Sequence, residues 1–142
     1  MRIVLDTNVL VSGLLSPFGA PGDVVRMVSS GVLTVCYDAR VIQEYRAVLL
    51  RRKFSFEKQD VDALLDQVEA SGMLTAPEPL PKSLPDPDDA VFLEVALAGG
   101  AECLVTGNIR HYPAKRRHGM LVLPPAGFLE FYRGRTSGEV SR

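Results

Sequence analysis

Short apolar runs alternate with amphipathic stretches along this chain. Residues 2–6 (Arg-Ile-Val-Leu-Asp) read as a short buried strand that stops on a carboxylate, followed by a hydroxyl and a carboxamide at Thr7 and Asn8. A helical stretch is expected over about 9–15, broken by Pro17 and Gly19, and a second over 23–30, stopped by Gly31. Residues 32–37 read as a strand, with Asp38 as N-cap of a helix running to about Arg52. The stretch 57–70 is amphipathic, with Val61, Leu64, Leu65 and Val68 on one face. Residues 73–76 read as a short strand, and the proline-rich 77–85 as an extended crossing. A strongly apolar helix over 90–98, strands over 102–106 and 120–123, and a last helix over 124–132 complete the pattern. Strands alternating with helices predict an α/β fold with a mostly parallel sheet and helices on both faces. Residues 1–132 are read as one domain and 133–142 as a polar, disordered tail.

Composition narrows the class. A chain of 142 residues has room for one domain with a real core. Hydrophobic residues make up 46% and charged residues 23%, as in an ordinary water-soluble domain. No apolar stretch approaches the roughly 20 residues that span a bilayer. The opening carries one arginine and then a strand, so neither a membrane span nor a signal peptide is expected, and a cytoplasmic protein is. Cys36 and Cys103 fall in expected strands and read as small buried hydrophobes. A net charge of -1 does not announce a nucleic-acid binder, yet carboxylates gathered at a site would offset basic residues elsewhere.

The candidate chemistry lies at the strand ends. In open α/β sheets ligands sit outside the carboxyl ends of the strands. Asp6 is there, and its oxygen suits a hard cation such as Mg²⁺. Glu44 borders the apolar stripe Val41, Ile42, Tyr45, Val48, Leu49; taken alone it reads as an ordinary helix-flank glutamate. Asp86-Pro87-Asp88-Asp89 has the makings of a helix start, with Asp86 as cap and Pro87 at the first position. Three carboxylates in four residues also repel one another, so a cap alone and a cap with a cation site stand equal at this point. Thr106-Gly107-Asn108 reads as a simple turn or as a third strand end offering a hydroxyl and an amide oxygen.

The order strand-Asp, helix-Glu, helix-start Asp, strand-Thr-x-Asn resembles the PIN-domain family, and best the VapC-type toxins of toxin–antitoxin pairs. The matching stretches are Ile3-Val4-Leu5-Asp6-Thr7-Asn8-Val9-Leu10, Val41-Ile42-Gln43-Glu44-Tyr45, Asp86-Pro87-Asp88-Asp89, and Ala101-Glu102-Cys103-Leu104-Val105-Thr106-Gly107-Asn108. The resemblance implies a three-layer α/β/α sandwich and an endoribonuclease dependent on Mg²⁺ or Mn²⁺. Carried over position by position, it implies Asp6, Glu44 and Asp89 as acidic ligands, with Asp86 as an accessory carboxylate. Its fourth position, usually Asp, is Asn108 here, which removes one negative charge and leaves one metal or two as open alternatives. Thr7, Asn8 and Thr106 would support the site.

Metal-assisted phosphodiester hydrolysis suits oxygen ligands of this kind. His111 and His118 are not spaced as a zinc pair, and no Ser-His-Asp or Cys-His set is evident. Arg110, Lys115, Arg116 and Arg117 follow the last site position and are the expected RNA contacts, with Tyr112 as a base-stacking or a packing residue. Arg51-Arg52-Lys53 reads as a solvated helix end. The resemblance also implies a homodimer and an antitoxin partner. A PIN-like RNA- or protein-binding module with weak or no catalysis is the alternative, kept alive by Asn108. A Mg²⁺-dependent phosphatase of another α/β fold would show a second Asp two residues after the first, where this chain has Asn8.

Overall fold

The computed structural model describes residues 1–81 and 84–140, with the backbone alone for 137–140. Five strands, β1 (Arg2–Leu5), β2 (Thr34–Tyr37), β3 (Met73–Leu74), β4 (Cys103–Val105) and β5 (Val122–Leu123), form one sheet in the order β3-β2-β1-β4-β5. Every pairing is parallel, where a mostly parallel sheet was expected. Parallel neighbours need crossovers, and among the described residues six α-helices occupy them or follow them: α1 (Thr7–Leu15), α2 (Ala20–Ser29), α3 (Ala39–Leu49), α4 (Lys58–Ser71), α5 (Pro87–Gly99) and α6 (Pro125–Val140). The result is the three-layer α/β/α arrangement.

Burial explains the apolar sequence of β1 and β4. Ile3, Val4, Leu5, Cys103, Leu104 and Val105 are each wholly shielded from water, as strands covered on both faces must be. Helix α5 packs against β1, β2 and β4 and also touches α3, so it is apolar nearly all round: Phe92, Leu93, Val95 and Ala96 are buried. Tyr45 on α3 is buried too, and its hydroxyl donates to the carbonyl of Leu5 at 2.5 Å, tying α3 to the last residue of β1.

The chain leaves β1 for β2 and β3 on one side, then crosses to β4 and β5 on the other. Strand order therefore reverses between β1 and β4. A crevice opens at such a reversal, outside the carboxyl ends of the two strands. Asp6 follows β1 there, and Thr106 follows β4.

Several boundaries differ from the sequence pattern. Helix α1 begins at Thr7, not near residue 9, because Asp6 takes an extended N-cap conformation and its carbonyl accepts from the Val9 amide at 3.0 Å. The edge strands β3 and β5 are two residues long, shorter than expected. Helix α5 starts at Pro87. Helix α6 continues past residue 132 to Val140, through most of the segment expected to be a tail. Residues 82–83 of the expected extended crossing and 141–142 of the tail lie outside the described residues. Both cysteines are free and buried, as expected.

Helices α1 and α2 approach closely at Gly13. A Cβ there would lie 2.5 Å from Val25 Cγ2 and 2.7 Å from the Pro21 carbonyl oxygen. Gly13→Ala would gain up to about 1 kcal/mol of helix propensity. Displacing a backbone carbonyl costs more, since overpacking typically costs 1–3 kcal/mol. A net loss of about 1–2 kcal/mol is expected, read as a fall of several degrees in the melting temperature. An unchanged or higher melting point would mean that the α1–α2 contact is looser than described.

Candidate functional site

Asp6 is 6% exposed, at the point where β1 ends and α1 begins. Thr106, fully buried at the end of β4, donates its hydroxyl to Asp6 Oδ2 at 2.9 Å. The buried hydroxyl of Tyr112 donates to the same oxygen at 3.1 Å. Burial pushes the Asp6 carboxyl above its ordinary value, and these two hydrogen bonds oppose the rise. The Thr106 hydroxyl also accepts from the Asn108 amide at 3.0 Å, which folds the Thr106-Gly107-Asn108 turn back onto the strand end. Asn8 closes the network: its Oδ1 accepts from the Gly107 amide at 2.8 Å. Asn8 thereby staples the β1 end to the β4 end.

Glu44 is half-buried on α3, not an ordinary exposed flank residue. Its Oε2 accepts from the Thr7 hydroxyl at 3.0 Å, so α1 holds the carboxylate in place. Asp89 is 8% exposed in the first turn of α5. Its Oδ2 has His111 Nδ1 at 3.2 Å, but among the described residues no donor meets that oxygen with hydrogen-bond geometry. Burial, then the negative charge of Asp6, pushes the Asp89 carboxyl up to about 6; His111 opposes the rise and the charges of Asp86 and Asp88 add to it. Asp86 is a true N-cap, its Oδ1 accepting from the Asp88 amide at 2.9 Å. The cap that the sequence places at Asp86 is therefore present.

One cavity of about 440 Å³ joins these groups. Asp6, Thr7, Asn8, Glu44, Asp86, Asp89 and Asn108 all line it, with Asp88 and His111 beside them. The carboxylates share this space without a finished coordination sphere. Among the described residues no three His, Cys, Asp or Glu side chains are set closely enough around one point to hold a metal ion. The donor set nonetheless fits a hard cation. It is oxygen-rich, Asp89 Oδ2 is buried without a hydrogen bond, and Mg²⁺ keeps several waters and binds through only one or two carboxylates.

The basic residues divide differently. Arg110 lines a neighbouring cavity with Gly107, Asn108 and His111. Lys115, Arg116 and Arg117 do not line the acidic cavity, and Arg117 Nε donates to the Tyr112 carbonyl at 2.7 Å, fixing the loop that carries Tyr112. Tyr112 is wholly buried and cannot stack a base; packing and its bond to Asp6 are its roles in the fold. Arg51 and Phe54 line the acidic cavity, although the sequence favoured a solvated helix end for Arg51 and singled out nothing at Phe54. Their direction depends on a short 3₁₀ turn (Arg52–Phe54) that no periodicity announces.

The PIN domain family profile matches residues 2–110 of the chain. No curated protein matches it. A chain in the crystal structure of VapBC2 from Rickettsia felis, bound to a DNA fragment from their promoter, has the same fold. The match has a TM-score of 0.56 at 17% sequence identity and covers 87% of this chain and 98% of that one. Among the described residues no helix is long and apolar enough to cross a membrane.

Proposed function

From the premise that this chain belongs to the PIN-domain family, we propose that it is a Mg²⁺- or Mn²⁺-dependent endoribonuclease, the VapC-type toxin of a toxin–antitoxin pair. The observation that carries this reading is the meeting of Asp6, Glu44 and Asp89 on one cavity at the reversal of strand order. Asp6 and Asp89 are the principal cation ligands, Glu44 completes the set, and Asp86 is the accessory carboxylate. A divalent cation held there supplies a nucleophilic water at neutral pH and screens charge on the phosphoryl oxygens.

The chain's own residues do the positioning. Thr106 and Tyr112 hold Asp6 Oδ2, so the carboxylate would meet a cation in a fixed orientation. Thr7 does the same for Glu44. Burial pushes both carboxyls upward and the charge of Asp6 adds to the rise at Asp89, costs that a bound cation would offset. Arg110, Lys115, Arg116 and Arg117 offer charge for the RNA backbone. The structural likeness to a chain of VapBC2 supports an antitoxin partner, and the family reading a homodimer in the cytoplasm.

Labelled single-stranded RNA tests the activity. Cleavage is expected with Mg²⁺ or Mn²⁺ and its loss with EDTA; RNA intact under all conditions would overturn the nuclease reading. A binding module without catalysis is the second reading, favoured by Asn108 and by the incomplete set of ligands. Asn108→Asp bears on it. The added carboxylate is expected to tighten Mn²⁺ binding about tenfold and to lower the metal-free melting temperature through repulsion. Calorimetric Mn²⁺ titration and thermal melts measure the two effects; no change in either places Asn108 outside the site.

A further inference from the structure

We propose that Arg51 and Phe54 form a subsite for one unpaired nucleotide of single-stranded RNA, beside the acidic centre; this rests on the nuclease reading above. Five carboxylates line the cavity, and a polyanion entering it needs attraction beyond what a cation supplies. Arg51 lines the same cavity, is exposed, and has no ion-pair partner among the described residues despite these neighbours. Glu44, Val48 and Arg51 are spaced four and three residues apart, so the run leads from the acidic centre along one side of α3 into the following turn.

Phe54 adds the second contact. It is half-buried and lines the cavity, yet it is not among the side chains packed on the core. Phe56 is packed there, and the two rings stack at 5.6 Å with 17° between planes. Ser55 between them holds a left-handed backbone, φ 55°, a strained state for a serine. The ring is therefore mounted on Phe56 and fixed before a ligand arrives, which lowers the entropic cost of binding. Core packing does not account for Phe54; stacking of a base does. Lys53, its ammonium 5.1 Å from the Phe54 ring centre, is exposed and free to move to a phosphate as a base takes that place. A cavity of about 440 Å³ lies within the usual size of small-ligand clefts. Stacking requires a base released from its helix, so the subsite selects unpaired RNA and tolerates any base.

Phe54→Ala, Phe54→Trp and Arg51→Ala test this in steady-state cleavage of a labelled single-stranded RNA with Mn²⁺. Phe54→Ala is expected to raise KM about 10- to 100-fold with kcat within about threefold, the range that loss of one base stack produces. Phe54→Trp should keep the wild-type KM, and Arg51→Ala should raise KM and flatten its salt dependence. Phe54→Ala loses its stack on Phe56 and no core contact, so its melting temperature should fall by only a few degrees. Wild-type KM in Phe54→Ala, with the wild type active, overturns the subsite and leaves the nuclease reading intact. Where the wild type binds RNA by fluorescence anisotropy without cutting it, Kd replaces KM and the same contrasts decide. Neither cleavage nor binding by the wild type overturns both.

Discussion

Asp6→Asn is expected to lower the rate of RNA cleavage at least about 100-fold while leaving the metal-free fold intact. The carboxamide keeps an oxygen that accepts from Thr106 and Tyr112, so the hydrogen bonds that orient position 6 survive. The charge does not survive, and with it go cation affinity and stabilisation of charge developing in the transition state. The wild-type carboxyl is buried and pushed upward, so removing its charge does not cost metal-free stability. The metal-free melting temperature of the variant should equal or exceed that of the wild type. Initial rates on single-stranded RNA, taken with melting curves, separate loss of the site from loss of the fold. Cleavage at the wild-type rate would place the chemistry elsewhere.

Metal-free protein is expected to lose stability between about pH 4 and pH 6, and Asp89→Asn to remove much of that loss. The folded carboxyl of Asp89 titrates near 6, against an ordinary value of 3.8. Below both values it is protonated in either state and contributes nothing. Between them the folded protein holds a proton that the unfolded chain has released, so stability falls as pH rises. Above about 6 the full penalty remains, on the order of 1–3 kcal/mol for a side chain 11% exposed. Asp6, pushed in the same direction, adds to the slope. At pH 7 to 8 Asp89→Asn should therefore melt roughly 3–10 °C above wild type without metal. Mn²⁺ should raise the wild-type melting point and raise that of the variant much less. Scanning calorimetry across this pH range measures both, and matching pH profiles for the two proteins would rule out a strained Asp89.

Sequence pattern alone carried the fold class, because buried parallel strands are short apolar runs and this chain has clear ones at Ile3–Val4–Leu5 and Cys103–Leu104–Val105. It also carried the helix start at Asp86, where cap, proline and acidic first turn coincide. Glu44 was ambiguous because a border position on a helix looks the same whether a neighbouring threonine holds it or water does. Only the approach of α1 to α3 brings Thr7 to it. Tyr112 was left open between stacking and packing for a related reason: an aromatic among basic residues suits a surface or a core, and the structure gives packing. Its burial follows from a loop folded back over the β4 end and tied by Arg117. Phe54 gave no signal and Arg51 read as a solvated helix end, since both border a short 3₁₀ turn that no periodicity marks. The edge strands and the extent of α6 were misjudged because propensity does not fix where pairing or a polar helix ends.

Diffraction from crystals soaked in Mn²⁺, with an anomalous difference map, tests the central claim most directly. The expected result is a peak in the acidic cavity within coordination distance of Asp6 and Asp89 oxygens, absent from crystals of Asp6→Asn. A peak at another place, or none in the cavity at saturating Mn²⁺, would contradict the assignment of these carboxylates to a metal centre.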